Sequence, residues 1–110
     1  MTAILLLTML TKPPDMRVLA SWYGDWHQGK TMANGKPFDK NAHYVAHRTL
    51  PLGTHLLLFN PKNKRTCRAI VTDRGPYIAG RELDVSEHVA ELLGFRNEGL
   101  ADLNVYILTL

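Results

Sequence analysis

Residues 66–86, which read TCRAIVTDRGPYIAGRELDVS, constrain the fold more than any other stretch of the chain. The first part alternates as a β-strand does, and the period of two places Asp73 on the same face as three apolar residues. These are Cys67, Ala69 and Val71. The pair Gly75-Pro76 then turns the chain. The stretch therefore predicts a strand with a carboxylate at the end of an apolar row, where partial desolvation would raise its pKa.

A second carboxylate, Asp84, follows eleven residues after Asp73, and each aspartate has an arginine close by in sequence, Arg74 and Arg81. A tight loop between the two aspartates lets them converge on one site. An arginine bonded to one carboxylate would lower its pKa and leave the other as the better proton donor. The alternative is structural: an Asp before Arg-Gly-Pro is a common turn former, and Asp84 could support the start of a helix.

Short strand-like segments recur along the whole chain. They lie at residues 17–23, 42–47, 54–59, 103–108 and from residue 66 onward. A turn at residues 60–63 predicts a hairpin. The seventeen residues 25–41 are rich in Gly, Asn, Lys and Asp and have neither a helical nor a strand period, which indicates a functional loop. About six short strands with one helix are typical of a small closed barrel.

One short helix is predicted at residues 87–93. Ser86 is a good N-cap and Gly94 is a good stop signal. The apolar face of the helix is predicted to consist of Val89, Leu92 and Leu93.

A chain of 110 residues suits one domain with one core. Residues 1–15 are interpreted as an N-terminal arm or signal-like remnant, because the apolar run 3–10 is too short to span a bilayer and no basic residue precedes it. Residues 16–110 are then the barrel domain. The net charge of +3 comes with scattered basic residues, so no nucleic-acid partner is predicted. The single cysteine, Cys67, excludes an internal disulfide and is expected to be a buried, inert thiol.

Five phrases occur in the order and spacing typical of one protein family. They are ASWYG (20–24), ANG (33–35), AHRTLPLGT (46–54), DRGP (73–76) and GRELDVS (80–86). Over roughly residues 17–108 the chain resembles the rare lipoprotein A family. The resemblance implies a mainly β fold: a six-stranded double-psi β-barrel with one or two short helices, shared with barwin and expansin domains.

The same resemblance implies a peptidoglycan lytic transglycosylase, which cleaves the bond between N-acetylmuramic acid (MurNAc) and N-acetylglucosamine (GlcNAc) and leaves 1,6-anhydroMurNAc ends. One carboxyl must be protonated to donate to the leaving oxygen, and it then takes a proton from the muramyl 6-hydroxyl. No water is needed, so a second carboxylate is not obligatory. The implied catalytic residues are Asp84, Asp73 and His47, and which aspartate is the acid stays open. An ordinary strand-end histidine is the alternative interpretation of His47.

Seven further residues are expected to bind substrate. They are Tyr23, Lys36, Arg48, Thr49, Arg74, Tyr77 and Arg81. Lys36 stands where much of the family has a glutamate, so a cation replaces an acidic residue of the groove and weakened activity is expected. That departure favours the alternative function, a non-catalytic, expansin-like module that binds glycan or loosens the wall. A structural or interaction barrel is a third hypothesis.

No metal site is predicted, because the sequence has no ligand pair at helical or knuckle spacing with a third partner. No cofactor is expected either. The expected partners are peptidoglycan glycan strands, met in the periplasm, the cell envelope or outside the cell. Because the only cysteine is internal, no stable membrane anchor is expected in this chain, and a monomer is expected.

Overall fold

Six β-strands close into a barrel in the computed structural model, which describes residues 11–109. The strands are β1 Met16–Tyr23, β2 Tyr44–Ala46, β3 His55–Asn60, β4 Arg65–Asp73, β5 Leu83–Ser86 and β6 Leu100–Leu108. Helix α1, Glu87–Leu92, joins β5 to β6, and a 3₁₀ turn, Asp25–His27, follows β1. The mainly β, six-stranded barrel expected from the sequence is confirmed.

The order around the barrel is β1-β5-β2-β4-β3-β6. Strands β1 and β5 pair in parallel, as do β2 and β4, and the other four pairings are antiparallel. The predicted hairpin is the β3–β4 pair. Strand β5 therefore lies between β1 and β2, and Asp84 has a paired strand on each side.

The barrel interior is filled by the inward side chains of every strand. The aliphatic residues among them include Val18, Ala20, Val45, Leu56, Leu58, Ala69, Val71, Leu83, Val85, Leu103 and Val105. Burying each leucine or valine contributes about 1.5–3 kcal/mol to folding. Cys67 packs in the same core as a free thiol, and burial raises its pKa to about 11, as expected for an inert cysteine.

Helix α1 closes one side of the core with Val89, Ala90 and Leu93, all fully buried. Leu92, predicted for this face, is 40% exposed, and Ala90 is buried beside Val89 and Leu93 instead. Gly94 ends the helix as predicted, at a φ of +77° that favours glycine.

Ser86 stands at the predicted N-cap, but its side chain makes no capping bond. Its hydroxyl, fully buried, donates instead to the carbonyl of Ala42 at 2.5 Å. Ser86 therefore ties the start of the helix to the chain that leads into β2.

A second apolar cluster lies outside the barrel and consists of Tyr23, Met32 and Phe38, with Tyr44 packed against it. Through this cluster the long segment 24–43 covers the outer face of β1 and β2. Inside the segment, a short hairpin forms around the bridge between Thr31 and Pro37. The segment predicted as a functional loop is thus fastened over one face of the sheet.

The apolar run 3–10 lies outside the described residues, so the assignment of 1–15 as an arm stays a prediction. Two bonds tie the chain just before β1 to β6: the Tyr106 hydroxyl donates to the Lys12 carbonyl, and the Ile107 amide donates to the Asp15 carboxylate. Within residues 11–109, no helix has the length and apolar character needed to cross a membrane.

Candidate active site

Asp73 and Asp84 flank Ala46 on neighbouring strands. Ala46 of β2 is in register with Asp73 of β4 on one side and with Asp84 of β5 on the other. One strand further, Ser21 of β1 is in register with Asp84. Because neighbouring strands lie about 4.8 Å apart, the backbones of the two aspartates are roughly 10 Å from each other. The structure therefore brings the two carboxylates into one row.

A shift in register puts Asp73 into this row. Val45 pairs with Val71, but Ala46 pairs with Asp73 and skips Thr72. The extra residue re-aims the next side chain, as β-bulges do. The predicted placement of Asp73 on the apolar face of Cys67, Ala69 and Val71 is therefore wrong. Its carboxylate lies on the outer face, against the segment that covers the sheet.

Asp73 holds that segment in place. Its Oδ1 accepts hydrogen bonds of 2.9 Å from the backbone amides of Ala33 and Arg74. Next to it, the Asn34 amide donates to the Thr72 carbonyl at 3.1 Å. The ANG and DRGP phrases are thus in direct contact, and one Asp73 oxygen is occupied by backbone donors.

The carboxyl of Asp84 is suited to exist in its protonated form. Burial raises its pKa to about 6, and the charge of Asp73 acts in the same direction. Two groups oppose this rise: the Ser21 hydroxyl, which donates to Oδ1 at 3.1 Å, and the charge of Arg81. Desolvation dominates, so this carboxyl holds its proton in weakly acidic solution.

Tyr23 lies against both carboxylates. Burial is the main cause that raises the pKa of its hydroxyl far above the usual range, and the charges of Asp73 and Asp84 add to it. The ring is 5% exposed and stacks on Phe38 with centroids 4.3 Å apart. Among the described residues the hydroxyl has no hydrogen-bond partner. A neutral, buried donor therefore stands unpaired beside two acids, although its ring has no free face for a sugar.

His47 follows Ala46, and its amide donates to the Asp73 carbonyl at 3.2 Å. Its Nδ1 accepts hydrogen bonds from the amides of Thr49 and Leu50, at 3.2 and 3.1 Å. Burial lowers the pKa of the ring, and the charges of Arg74 and Arg48 lower it further. The imidazole is therefore neutral at pH 7, with its proton on Nε2.

The charges that act on the pKa of the His47 ring are those of Arg74, Arg48 and Glu82. The structure joins His47 to the carboxylate row through its backbone, by the bond from its amide to the Asp73 carbonyl.

Two of the predicted arginines support loops. The Arg74 guanidinium donates to the carbonyls of His47 and Leu50, at 3.1 and 2.6 Å. Arg48 donates to the carbonyls of Pro76 and Arg81 and so holds the loop between β4 and β5. That loop contains the cis peptide Gly75-Pro76.

The expected bond from Arg74 or Arg81 to a carboxylate is absent among the described side chains. The guanidinium of Arg74 is taken up by loop carbonyls, and Arg81 acts on Asp84 only through its charge. Tyr77, in the same loop, is 76% exposed, and Thr49 is also exposed. Both remain available to a ligand.

Lys36 is exposed in the hairpin of the covering segment, where its amide bonds to the Asn34 side chain at 3.0 Å. Its ammonium forms no ion pair with the carboxylates of residues 11–109. Sequence reasoning missed Ser21. Its signal was available, because the period of two in ASWYG puts Ser21 on the face of Tyr23.

A cavity of about 700 Å³ lies elsewhere on the barrel, lined by Asn60, Lys62, Phe95, Leu100 and others. It contains none of the predicted site residues, so the chemistry of the carboxylate row, and not cavity size, locates the candidate site. Among the described residues no three His, Cys, Asp or Glu side chains could hold a metal ion together.

Comparison with known proteins finds one family and relatives with matching names. Residues 15–105 match the family described as lytic transglycolase. The "Probable endolytic peptidoglycan transglycosylase RlpA" of Aquifex aeolicus is 42% identical over 96 residues, covering 87% of this chain and 42% of the relative. The "Endolytic peptidoglycan transglycosylase RlpA" of Neisseria meningitidis is 40% identical over 86 residues, covering 78% of this chain and 36% of the relative. The chain thus spans less than half the length of these curated relatives.

Solved structures agree on the fold. A Streptomyces papain inhibitor superposes with a TM-score of 0.67 at 21% identity, covering 88% of this chain and 98% of the inhibitor. A mutant Clavibacter michiganensis expansin in complex with cellohexaose superposes with a TM-score of 0.65 at 25% identity, covering 86% of this chain and 51% of the expansin. These likenesses bear out the barwin- and expansin-like double-psi barrel expected from the sequence.

Proposed function

This chain belongs to the lytic transglycolase family, and from that membership we propose that it is a peptidoglycan lytic transglycosylase. Its substrate is the glycan strand, and it breaks the glycosidic bond between MurNAc and GlcNAc. Relatives named as endolytic peptidoglycan transglycosylases support this proposal. An enzyme with this substrate works where peptidoglycan is, so we place the chain in the periplasm, the cell envelope or outside the cell.

The observation that carries the proposal is the position of the Asp84 carboxyl, which is partly buried between β1 and β2, bonded to Ser21 and in one row with Asp73; burial there raises its pKa to about 6. A carboxyl with this pKa is partly protonated near neutral pH and is still a usable base once ionised. It can therefore donate its proton to the glycosidic oxygen as the bond from that oxygen to the muramyl anomeric carbon breaks. The resulting carboxylate then accepts the proton of the muramyl 6-hydroxyl, whose oxygen bonds to the same carbon. The 1,6-anhydro ring forms, the other product keeps the donated proton, and Asp84 is protonated again.

The other residues have supporting roles in this proposal. The charge of Asp73 helps to keep Asp84 protonated and favours positive charge that develops on the sugar ring. The Nε2–H of His47 is a neutral donor without a partner among the described residues, and we assign it to a sugar hydroxyl or acetamido oxygen. The Tyr23 hydroxyl is buried, so we assign Tyr23 to the packing around Asp84 and not to a bond with the sugar. Arg48 and Arg74 keep the loops around the site in shape.

The test is to incubate the protein with purified sacculi and with glycan strands stripped of stem peptides, and to search for 1,6-anhydroMurNAc ends by mass spectrometry. The parent should produce them, and Asp84→Asn, which keeps the shape of the side chain, should not. Reducing MurNAc ends would instead mean hydrolysis by water. No new ends from active, folded parent protein would exclude the lytic reaction.

A second candidate is a glycan-binding module that does not cut. The structural likeness to an expansin in complex with cellohexaose, together with Lys36 in place of the family glutamate, favours it. Under this alternative the parent and Asp84→Asn bind stripped glycan strands equally well, and neither releases anhydro ends.

A further inference from the structure

A concavity of about 380 Å³ lies beside the carboxylate row. Its lining includes Trp22, Tyr23, Asp25, Trp26, Glu87 and Arg96. Tyr23 belongs both to this lining and to the candidate active site. In the parallel pairing of β1 and β5, Tyr23 and Ser86 follow Ser21 and Asp84 by two residues. Two residues of a strand span about 7 Å, so the concavity begins about one sugar ring away from Asp84 along the strands.

Trp26 stands free at the edge of the concavity. The side chain is 88% exposed, the largest fraction among the exposed large hydrophobic residues of the described chain. Trp22, the other tryptophan, is covered: its ring lies 5.6 Å from the Arg96 guanidinium, and its indole N–H donates to the Arg96 carbonyl. An exposed indole next to a concavity provides a flat face for the C–H face of a sugar ring, since aromatic side chains offer large, rigid contact area.

Most charged groups at the concavity pair with one another. Arg96 donates twice to Oε1 of Glu87, at 2.9 and 2.6 Å, and Lys40 pairs with Asp25. The second oxygen of Glu87, Oε2, has only Lys40 at 3.9 Å, and a Cβ on Gly24 would come within 3.0 Å of it. Glycine at this position thus keeps the approach to a carboxylate acceptor open. The lysine and the arginine that the structure places here, Lys40 and Arg96, are both paired with carboxylates, so the concavity favours sugar hydroxyls over a carboxylate.

We propose that the concavity between Trp26 and Glu87 is a further sugar subsite, which binds an uncharged pyranose ring next to the ring held at Asp84. The ring stacks on Trp26 and donates a hydroxyl to Oε2 of Glu87. In peptidoglycan the uncharged ring is GlcNAc, since MurNAc carries a lactyl carboxylate. This subsite rests on the proposed function for its position along the strand, but its binding can be measured without catalysis.

Tryptophan fluorescence reports on this subsite directly, because both tryptophans of the chain line the concavity. The probes are β-1,4-linked GlcNAc oligomers of two and six sugars, titrated into the parent, Trp26→Ala and Trp26→Phe. Trp22 remains in both variants as the reporter. We expect Trp26→Ala to weaken hexamer binding by roughly three- to tenfold, the range of an aromatic contact, and Trp26→Phe to retain most of it. Ile107→Ala, at a side chain 38% exposed on β6 and away from the carboxylate row, is the control and should bind as the parent does.

Two results would overturn the subsite: equal hexamer affinity for the parent and Trp26→Ala, or no hexamer binding by the parent. The subsite is supported if the parent prefers the hexamer over the dimer and Trp26→Ala abolishes that preference. The proposed function fails separately. If the oligomers bind through Trp26 but sacculi yield no anhydro ends, the subsite stands and the lytic reaction does not.

Discussion

Ser21 donates a hydrogen bond of 3.1 Å to Oδ1 of Asp84 across the parallel pairing of β1 and β5, where the two residues are in register. The bond stabilises the ionised carboxylate and so lowers the pKa of Asp84, against the burial that raises it to about 6. A residue two positions before the buried Tyr23 thus sets part of the acidity of the proposed proton donor.

The rate should follow the protonation of Asp84. We expect kcat/KM for release of anhydro ends to fall above about pH 6, by tenfold per pH unit, because the acid form of a group with that pKa is lost. The measurement is initial rates on stripped glycan strands from pH 4.5 to about 8 in buffers of constant ionic strength. A rate that stays flat up to pH 8 would contradict the assignment of Asp84 as general acid.

Ser21→Ala should move this fall in rate to higher pH. Removal of the hydroxyl removes a bond that lowers the pKa of Asp84, so the pKa rises by about half a unit to one unit. Parent and variant profiles are compared on the same substrate. Ser21→Thr, which keeps the hydroxyl, is the matched control. A shift toward lower pH in Ser21→Ala would have the wrong sign for a bond to the ionised carboxylate.

Asp84→Asn should stabilise the fold above pH 6. The folded pKa of Asp84 lies above its unfolded value, so the folded state binds this proton more tightly. The stability that this tighter proton binding contributes is complete below about pH 4 and is lost as the pH rises through about 6. At pH 7.5 the ionised, buried carboxylate therefore costs up to about 3 kcal/mol, which the amide avoids.

Urea unfolding of the parent and Asp84→Asn at about pH 4 and pH 7.5 measures this effect. The gain in free energy of unfolding should appear at the higher pH and nearly vanish at the lower. Asp102→Asn, at an exposed aspartate of β6, should change stability little at either pH. An Asp84→Asn variant less stable than the parent at pH 7.5 would show that the folded protein stabilises the ionised carboxylate and that burial does not penalise it.

Alternation in the sequence was enough to predict part of the core, because β1 buries Val18 and Ala20 and β4 buries Cys67, Ala69 and Val71 at alternate positions. Strand β3 was predicted from its apolar residues, and it buries three consecutive leucines. Strand β5 could not be placed from the sequence. It has four residues, and both of its partners, β1 and β2, are distant in the chain. The ordered family phrases supplied the barrel that local patterns could not.

The two aspartates were predictable as a pair, but the face of Asp73 was not. Its orientation depends on the register shift at Thr72, which strict alternation along the sequence does not predict. The arginine partners were also out of reach, because Arg74 bonds to carbonyls of a loop that exists only once β2 and β4 have paired.

Tyr23→Phe should separate function from stability. The Tyr23 hydroxyl is buried without a partner among the described residues, so its removal should leave the free energy of unfolding unchanged or raise it by about 1 kcal/mol. Because the hydroxyl has almost no exposed surface to offer a sugar, kcat/KM should change less than about twofold. The matched control is Thr72→Val, which removes the other unpaired buried hydroxyl. A roughly tenfold fall in kcat/KM for Tyr23→Phe alone would show that its hydroxyl reaches the sugar.

Lys36→Glu introduces the glutamate that the family resemblance implies at this position, and we expect it to change turnover less than about twofold, since water and salt screen exposed charges. Lys36 is exposed on its hairpin, and the charges that act on the pKa of Asp84 are Arg81 and Asp73. The fall in rate near pH 6 should therefore stay in place. The measurement is the pH profile of anhydro-end release at ~0.15 M salt for the parent, Lys36→Glu and Lys62→Glu, a control at an exposed lysine in the β3–β4 turn. If Lys36→Glu, but not Lys62→Glu, raises turnover and Asp84→Asn abolishes the gain, then Lys36 restrains the acid, and the hairpin moves closer to Asp84 when glycan binds.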